Sequence, residues 1–127
     1  MLACCYYIGM IEIKYANDNV KYYFENPRAI QKDCGPDLAK KVNRRIDELR
    51  SFNSVNELLN CGIDNPHLLI GDLEGSLGWD LTSHVRLIIK ICEKFEEDTI
   101  EKTKFITSVV IEGVRDYHGG NKKWIIN

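Results

Sequence analysis

Between His67 and Ile91 the chain alternates apolar and polar residues with a period of two. Leu77, Trp79 and Leu81 fall on one face of an extended segment, and Gly78 and Asp80 on the other. Thr82–Ser83 reads as a turn, after which Val85, Leu87, Ile89 and Ile91 alternate with Arg86, Ile88 and Lys90. The β-branched residues of the second arm suit a pleated surface better than a helix, so the segment predicts a β-hairpin. Arg86 stands mid-strand among apolar neighbours, where a guanidinium needs a buried partner or an open concave face.

Upstream the period changes. Ile11–Tyr15 alternates and predicts a first strand, and Asn17 or Asp18 can cap a short helix through Val20, Tyr23 and Phe24. A second helical piece runs from Pro27 to Cys34, with proline at its first position and Gly35 as a stop. Pro36 then opens the clearest helix, in which Leu38, Val42, Ile46, Leu49 and Phe52 form one apolar stripe. Its other side carries Lys40, Lys41, Arg44, Asp47, Glu48 and Arg50, with Arg44 and Glu48 spaced as an i,i+4 pair. These bases suit either a solvated helix face or a face that meets phosphate or a partner. Ser54 and Glu57 form a capping box for one more short helix, which Gly62 ends.

Downstream, Lys104–Val114 is apolar on both alternating faces, with Phe105, Val109 and Ile111 on one and Ile106 and Val110 on the other. That marks an interior strand covered on both sides. It ends in a polar cluster, Arg115, Asp116, Tyr117 and His118, before Gly119–Gly120 and a tail, residues 119–127. The order of elements predicts one α+β domain over residues 1–127: an antiparallel β-sheet of four to five strands, with two to three N-terminal helices packed on one face and the other face partly open.

Composition changes this picture little. At 127 residues, 44% hydrophobic and 28% charged, the chain suits one globular domain. The formal net charge of −2 hides a block at Glu93–Glu101, where five acids and one lysine sum to −4 and leave +2 for the remainder. Charge thus neither selects nor excludes nucleic acid as a partner. No apolar run reaches the roughly 18 residues of a membrane span. Five cysteines (Cys4, Cys5, Cys34, Cys61, Cys92) show no CxxC and no Cys/His ligand spacing, which favours free thiols in a reducing cytoplasm and argues against zinc. The opening MLACCYYIGM lacks the basic region of a signal peptide, and Met10 is the favoured start of translation over Met1.

The ordered set His67, Leu69, Gly71-Asp72, Gly75, Asp80-Leu81 and Arg86-Leu87-Ile88, with Asp116-Tyr117-His118 at the end of the last long strand, resembles the RelE/ParE toxin superfamily. It is most similar to the HigB-like branch, the plasmid-maintenance system killer proteins, which read HxLKGDxxGxxxLDLxxxYRLIF and close a central strand with DYH. The helical segment DLAKKVNRRIDELRSFNSVNELL is similar to the helical region of that family as well. The resemblance spans Met10 to His118. Ile70 departs from it, standing where the family box has lysine, as do Val85 and Ile89 at aromatic positions.

The resemblance implies a bacterial type II toxin: a ribosome-dependent mRNA endoribonuclease that needs no metal or cofactor and is silenced by a cognate helix-turn-helix antitoxin. Cleavage by the RNA's own 2′-hydroxyl requires a base, an acid for the leaving 5′-oxygen, and a cation for the phosphorane. On that reading Arg86 steadies the phosphate, His67 and His118 transfer protons, Tyr117 bonds phosphate or stacks on a base, and Asp116 orients a neighbour. Lys40, Lys41, Arg44 and Lys90 are the candidate RNA-binding bases, Lys90 also replacing the cation absent at Ile70. Each residue has a structural alternative: Arg86 can bridge to Asp80 across the hairpin, His67 can simply follow Pro66 into a strand, and Tyr117 and His118 can be ordinary strand-end residues. His84 reads as a turn residue. A gyrase-poisoning toxin of the ParE type and a non-enzymatic relic that only binds an antitoxin are the other functions this pattern allows.

Overall fold

Six strands and four helices make up the described part of the chain, residues 11–91, 107–120 and 122–127 of the computed structural model. β1 (Glu12–Tyr15) leads into α1 (Asp18–Glu25), whose first turn is closed by the Asn17 side chain accepting the Val20 N–H at 2.9 Å. α2 (Pro27–Cys34) and α3 (Pro36–Ser51) both open on proline and are separated by Gly35 at a φ of 97°, a conformation that glycine adopts without strain. α4 (Val55–Leu59) starts at Ser54, whose hydroxyl accepts the Glu57 N–H. Then come β2 (His67–Leu68), a 3₁₀ turn at Gly71–Leu73, β3 (Ser76–Asp80), β4 (Val85–Ile91), β5 (Ser108–Asp116) and β6 (Lys123–Ile126).

The sheet runs β1-β5-β4-β3-β2, with β6 also paired to β5. The α+β class and the helix-covered sheet agree with the sequence reading, with two differences. β1 lies parallel to β5, in register Glu12↔Ser108 to Tyr15↔Ile111, so the sheet is mixed rather than antiparallel. Alternation in a strand specifies its faces but not its direction, and a parallel neighbour needs only a long crossover, which the helices and hairpin supply. The strand count also rises to six, because residues read as a tail form β6 and bury Ile126, and all four helical segments read along the chain form, against the two to three expected on the sheet. Residues 1–10 and the acidic block at 93–101 lie outside the described residues, as do Lys104, Phe105 and Ile106 of the expected strand.

The core sits between the helices and one sheet face. Val20, Phe24, Ile30, Val42, Ile46, Leu49 and Leu58 pack on Leu77, Trp79, Leu87, Ile89, Ile111 and Val114. One buried residue breaks the α3 stripe. Arg45 is paired with Glu48 at 2.7 Å and with Asp64, and its guanidinium lies 5.2 Å from the Trp79 ring centroid. Glu48 thus takes Arg45 at i,i+3, where the sequence spacing points to Arg44.

A bulge in β5 decides what the opposite face displays. Ile88 pairs with Gly113 but Ile89 pairs with Ile111, so Glu112 is an extra residue. Before it, odd-numbered Val109 and Ile111 face the helices; after it, Val114 does. Arg115 has the parity of Val109 and Ile111, and uninterrupted alternation would send it into the core. The bulge turns it to the helix-free face, opposite Arg86. Gly113 permits this with a φ of 148°, and any β-carbon there would collide with the Ile126 carbonyl.

The helix-free face is partly roofed at one end. Leu69 packs over Gly78, and Asp72 on the 3₁₀ turn accepts a hydrogen bond from Arg115 at 3.0 Å. Ile88, on this face beside Gly78, is fully buried without joining the helix-side core.

Candidate active site

The helix-free face gathers its charge where β3 ends, β4 begins and β5 ends. Register places Asp80, Arg86 and Arg115 side by side across three strands. Arg86 Nε lies 3.2 Å from Asp80 Oδ1, so the cross-hairpin ion pair is present, although that oxygen is out of line for a hydrogen bond. On its other flank the Arg86 guanidinium lies 4.5 Å from the Tyr117 ring centroid. Arg115 approaches the same ring at 5.6 Å and the Trp124 ring at 5.1 Å. Cations and aromatic faces therefore alternate from β4 to β6, an arrangement that offsets the repulsion of two guanidinium groups placed opposite one another.

Arg115 is buried, and Asp72 takes its Nη2. Its Nε and Nη1 have no hydrogen-bond acceptor among the described residues. The hydrogen bond from Arg115 holds the Asp72 carboxyl below the usual carboxylate range, with the charges of Arg115 and of Lys122, 3.9 Å away, adding to the effect against some desolvation.

The turn after β5 is fixed by two bonds. The Tyr117 N–H donates to the His84 carbonyl at 2.6 Å, and the His118 N–H donates to Asp116 Oδ1 at 2.8 Å. Together they bring the His118 ring edge-to-face against His84, with centroids 4.6 Å apart and planes at 84°. Both imidazoles are exposed, and Tyr117 and Arg86 are partly buried beside them.

Of the residues singled out from the sequence, Arg86, Asp116, Tyr117 and His118 come together at this end of the sheet. His67 shares the face on β2 opposite Gly78, with Nδ1 2.8 Å from the Asn65 carbonyl, and the Arg86 side chain runs toward that glycine, its Cδ 3.4 Å from where a β-carbon would stand. Lys90 is exposed on the Arg86 face, opposite Ser76 at the far end of β4. Lys40, Lys41 and Arg44 instead line a groove of about 450 Å³ with Asp37 and Thr82, between α3 and the hairpin turn. Three further residues meet this cluster, one from the polar strand end and two that the sequence does not single out for a site. Arg115 belongs to the polar strand end read from the sequence, but the bulge sets which face it takes, and a glycine inside a strand is the signal for that. His84 and Trp124 join through tertiary contacts that their local sequence does not announce. Among the described residues no group of three or more His, Cys, Asp or Glu is arranged to hold a metal ion.

No family model matches this sequence, and no curated protein matches it. A solved structure does: a chain of the YoeB-YefM complex from Staphylococcus aureus superposes with a TM-score of 0.50 at 18% identity, over 85% of this chain and 97% of that one. The likeness is one of fold, and it agrees with the RelE-like architecture that the sequence pattern implies.

Proposed function

We propose that this chain is a type II toxin of the HigB-like branch, an endoribonuclease that cuts mRNA on the ribosome and is held inactive by a helix-turn-helix antitoxin. The observation that carries the reading is the stacking of Arg86 on Tyr117, 4.5 Å apart, on the face that none of the described helices covers, with the His84–His118 pair joined to it through the Tyr117 backbone. The neighbour of like fold is a complex of two proteins, YoeB and YefM, which supports a protein partner for this chain as well.

The chemistry follows from the positions. A phosphate seated at Arg86 gains a cation that stabilises the extra negative charge of a phosphorane. One imidazole of the His84–His118 pair, in its neutral form, takes the 2′-hydroxyl proton as that oxygen attacks phosphorus. The P–O5′ bond breaks, the departing oxygen takes a proton from the second imidazole in its charged form, and a 2′,3′-cyclic phosphate remains. Asp116 holds His118 through its backbone N–H, and the Tyr117 ring offers a surface for base stacking. In this scheme His84, in ring contact with His118, takes the second proton-transfer role that the sequence alone gives to His67. Lys40, Lys41 and Arg44, along the groove beside the hairpin turn, and Lys90 on the open face would hold RNA backbone.

The test is primer extension on mRNA from translating ribosomes after induction of the chain, with and without a helix-turn-helix gene found beside it. Discrete cleavage that disappears with the partner, and with Arg86→Ala, supports the proposal. Growth arrest with intact mRNA and DNA damage would assign the fold to gyrase poisoning instead. A second reading, a non-enzymatic antitoxin binder, is favoured by Ile70, which is 86% exposed at the position where the resemblance has lysine. Unchanged growth with stable partner binding would select it.

A further inference from the structure

We propose that Trp124, Lys122 and Arg115 form a nucleotide subsite, taking one base and one phosphate of single-stranded RNA beside the Arg86–Tyr117 cleft. The inference rests on the ribonuclease reading but uses residues outside its machinery. β6 lies beyond the stretch that carries the family resemblance, and it fills the β5 edge that β1 leaves free: β1 pairs with Ser108 to Ile111, β6 with Val114 to Asp116. Ile126 anchors the strand in the core, and Trp124, opposite Arg115, stays partly exposed. The other tryptophan, Trp79, is fully buried.

Arg115 points to an anion. It is only 7% exposed, yet two of its N–H-bearing nitrogens lack an acceptor among the described residues while the third binds Asp72. Lys122 Nζ approaches the other Asp72 oxygen at 3.9 Å, so guanidinium and ammonium converge on one carboxylate. That carboxylate is 57% exposed, on a three-residue turn with Gly71 and Gly75 close by at φ 80° and 93°. It can leave without dismantling a strand. A phosphate offers Arg115 more acceptor oxygens than a carboxylate does, and binds both cations. An indole with one face on a guanidinium is the platform on which unpaired bases stack. Asp72 thus holds the phosphate position until RNA displaces it.

The experiment measures binding of a fluorescently labelled, single-stranded RNA oligonucleotide carrying 2′-deoxy substitutions, which 2′-hydroxyl attack cannot cleave, to the full chain. Trp124→Ala should weaken binding about tenfold and Trp124→Phe much less, as loss and partial retention of stacking require. Asp72→Asn should tighten it severalfold by removing the competing carboxylate, and Lys122→Gln should weaken it with a shallower salt dependence. Thermal melts confirm that each variant is folded. Wild-type affinity in both Trp124→Ala and Asp72→Asn overturns the subsite, as does a wild-type chain that binds no oligonucleotide. Binding of a glutamate-rich peptide through these residues, with none of the oligonucleotide, overturns it in favour of a protein partner. The two readings fail separately: cleavage unchanged in Trp124→Ala removes the subsite and leaves the nuclease, whereas Trp124-dependent binding without cleavage leaves the subsite and removes the nuclease.

Discussion

Arg86 and Arg115 stand directly opposite one another on β4 and β5, with the Tyr117 ring within cation–π reach of both. Two like charges at a cross-strand position destabilise a sheet unless something neutralises them. Here each has its own acid, Asp80 for Arg86 and Asp72 for Arg115, supplied from different segments. The pair is therefore held by three separate parts of the chain, the end of β3, the 3₁₀ turn and the residue after β5. Two guanidinium groups held side by side at one end of the sheet, with two Arg115 nitrogens lacking an acceptor among the described residues, are the physical reason to look there for an anionic substrate.

Removing the Arg86 guanidinium tests the centre of the proposal. Arg86→Ala should reduce mRNA cleavage by about 10²–10³-fold, the loss typical of a single group that stabilises charge in the transition state. Stability should change little, because the pair with Asp80 is about one-third exposed and such pairs contribute roughly 1 kcal/mol or less. Cleavage rates by primer extension and a urea titration on the same sample separate the two effects. A variant that is folded and fully active would remove Arg86 from the mechanism.

Gly113→Ala should be more damaging to the fold than its size suggests. A β-carbon at a φ of 148° is strained, and it would meet the Ile126 backbone carbonyl rather than a side chain able to move aside. β6 must shift or the bulge must close. The expected loss is about 3 kcal/mol, at the upper end of ordinary point substitutions. A fall in the urea midpoint checks this. If the bulge closes rather than the strand shifting, Arg115 turns toward the core and soluble expression should fall as well.

The hairpin, the α3 stripe and the helix boundaries were legible because each depends on residues close in sequence. Asn17 caps α1 and Ser54 caps α4 as their side chains suggest, and Leu77, Trp79, Leu87 and Ile89 face the helices as alternation requires. Arg86, Tyr117 and His118 were found by pattern, and the fold brings them to one end of the sheet. What could not be read depends on register and direction. One extra residue at Glu112 reverses the facing of Arg115, the parallel sense of β1 leaves no trace in its alternation, and β6 pairs only once β5 exists.

Asp72 should give the protein a distinctive acid response. Arg115 and Lys122 stabilise its ionised form, so its folded pKa lies below the unfolded value of about 3.9. A group depressed in this way contributes stability above the unfolded pKa and loses it as pH falls through the folded one. Wild type and Asp72→Asn should therefore differ in denaturant midpoint by a constant amount at neutral pH, and the difference should shrink below about pH 4. Urea titrations at a series of pH values measure it, and a gap that persists unchanged at low pH would show that Asp72 is not the titrating partner of Arg115.

Arg45 offers the clearest separation of structure from function, because it is as basic as the site residues and sits on the other side of the sheet. Its side chain is 7% exposed and reaches Glu48, Asp64 and the Asp80 carbonyl while covering Trp79. Arg45→Ala uncovers the indole and leaves Glu48 and Asp64, both partly exposed, without their cation, so a loss of about 1–3 kcal/mol is expected. Arg45→Met keeps the hydrocarbon packing on Trp79 and should recover part of that loss, since a well-packed apolar side chain often replaces a buried ion pair at little cost. Cleavage per folded molecule should be unchanged in Arg45→Met. The measurement is a pair of urea midpoints with a cleavage rate normalised to folded protein. A methionine variant as unstable as the alanine would place the stabilisation in the ion pairs themselves rather than in the cover over Trp79.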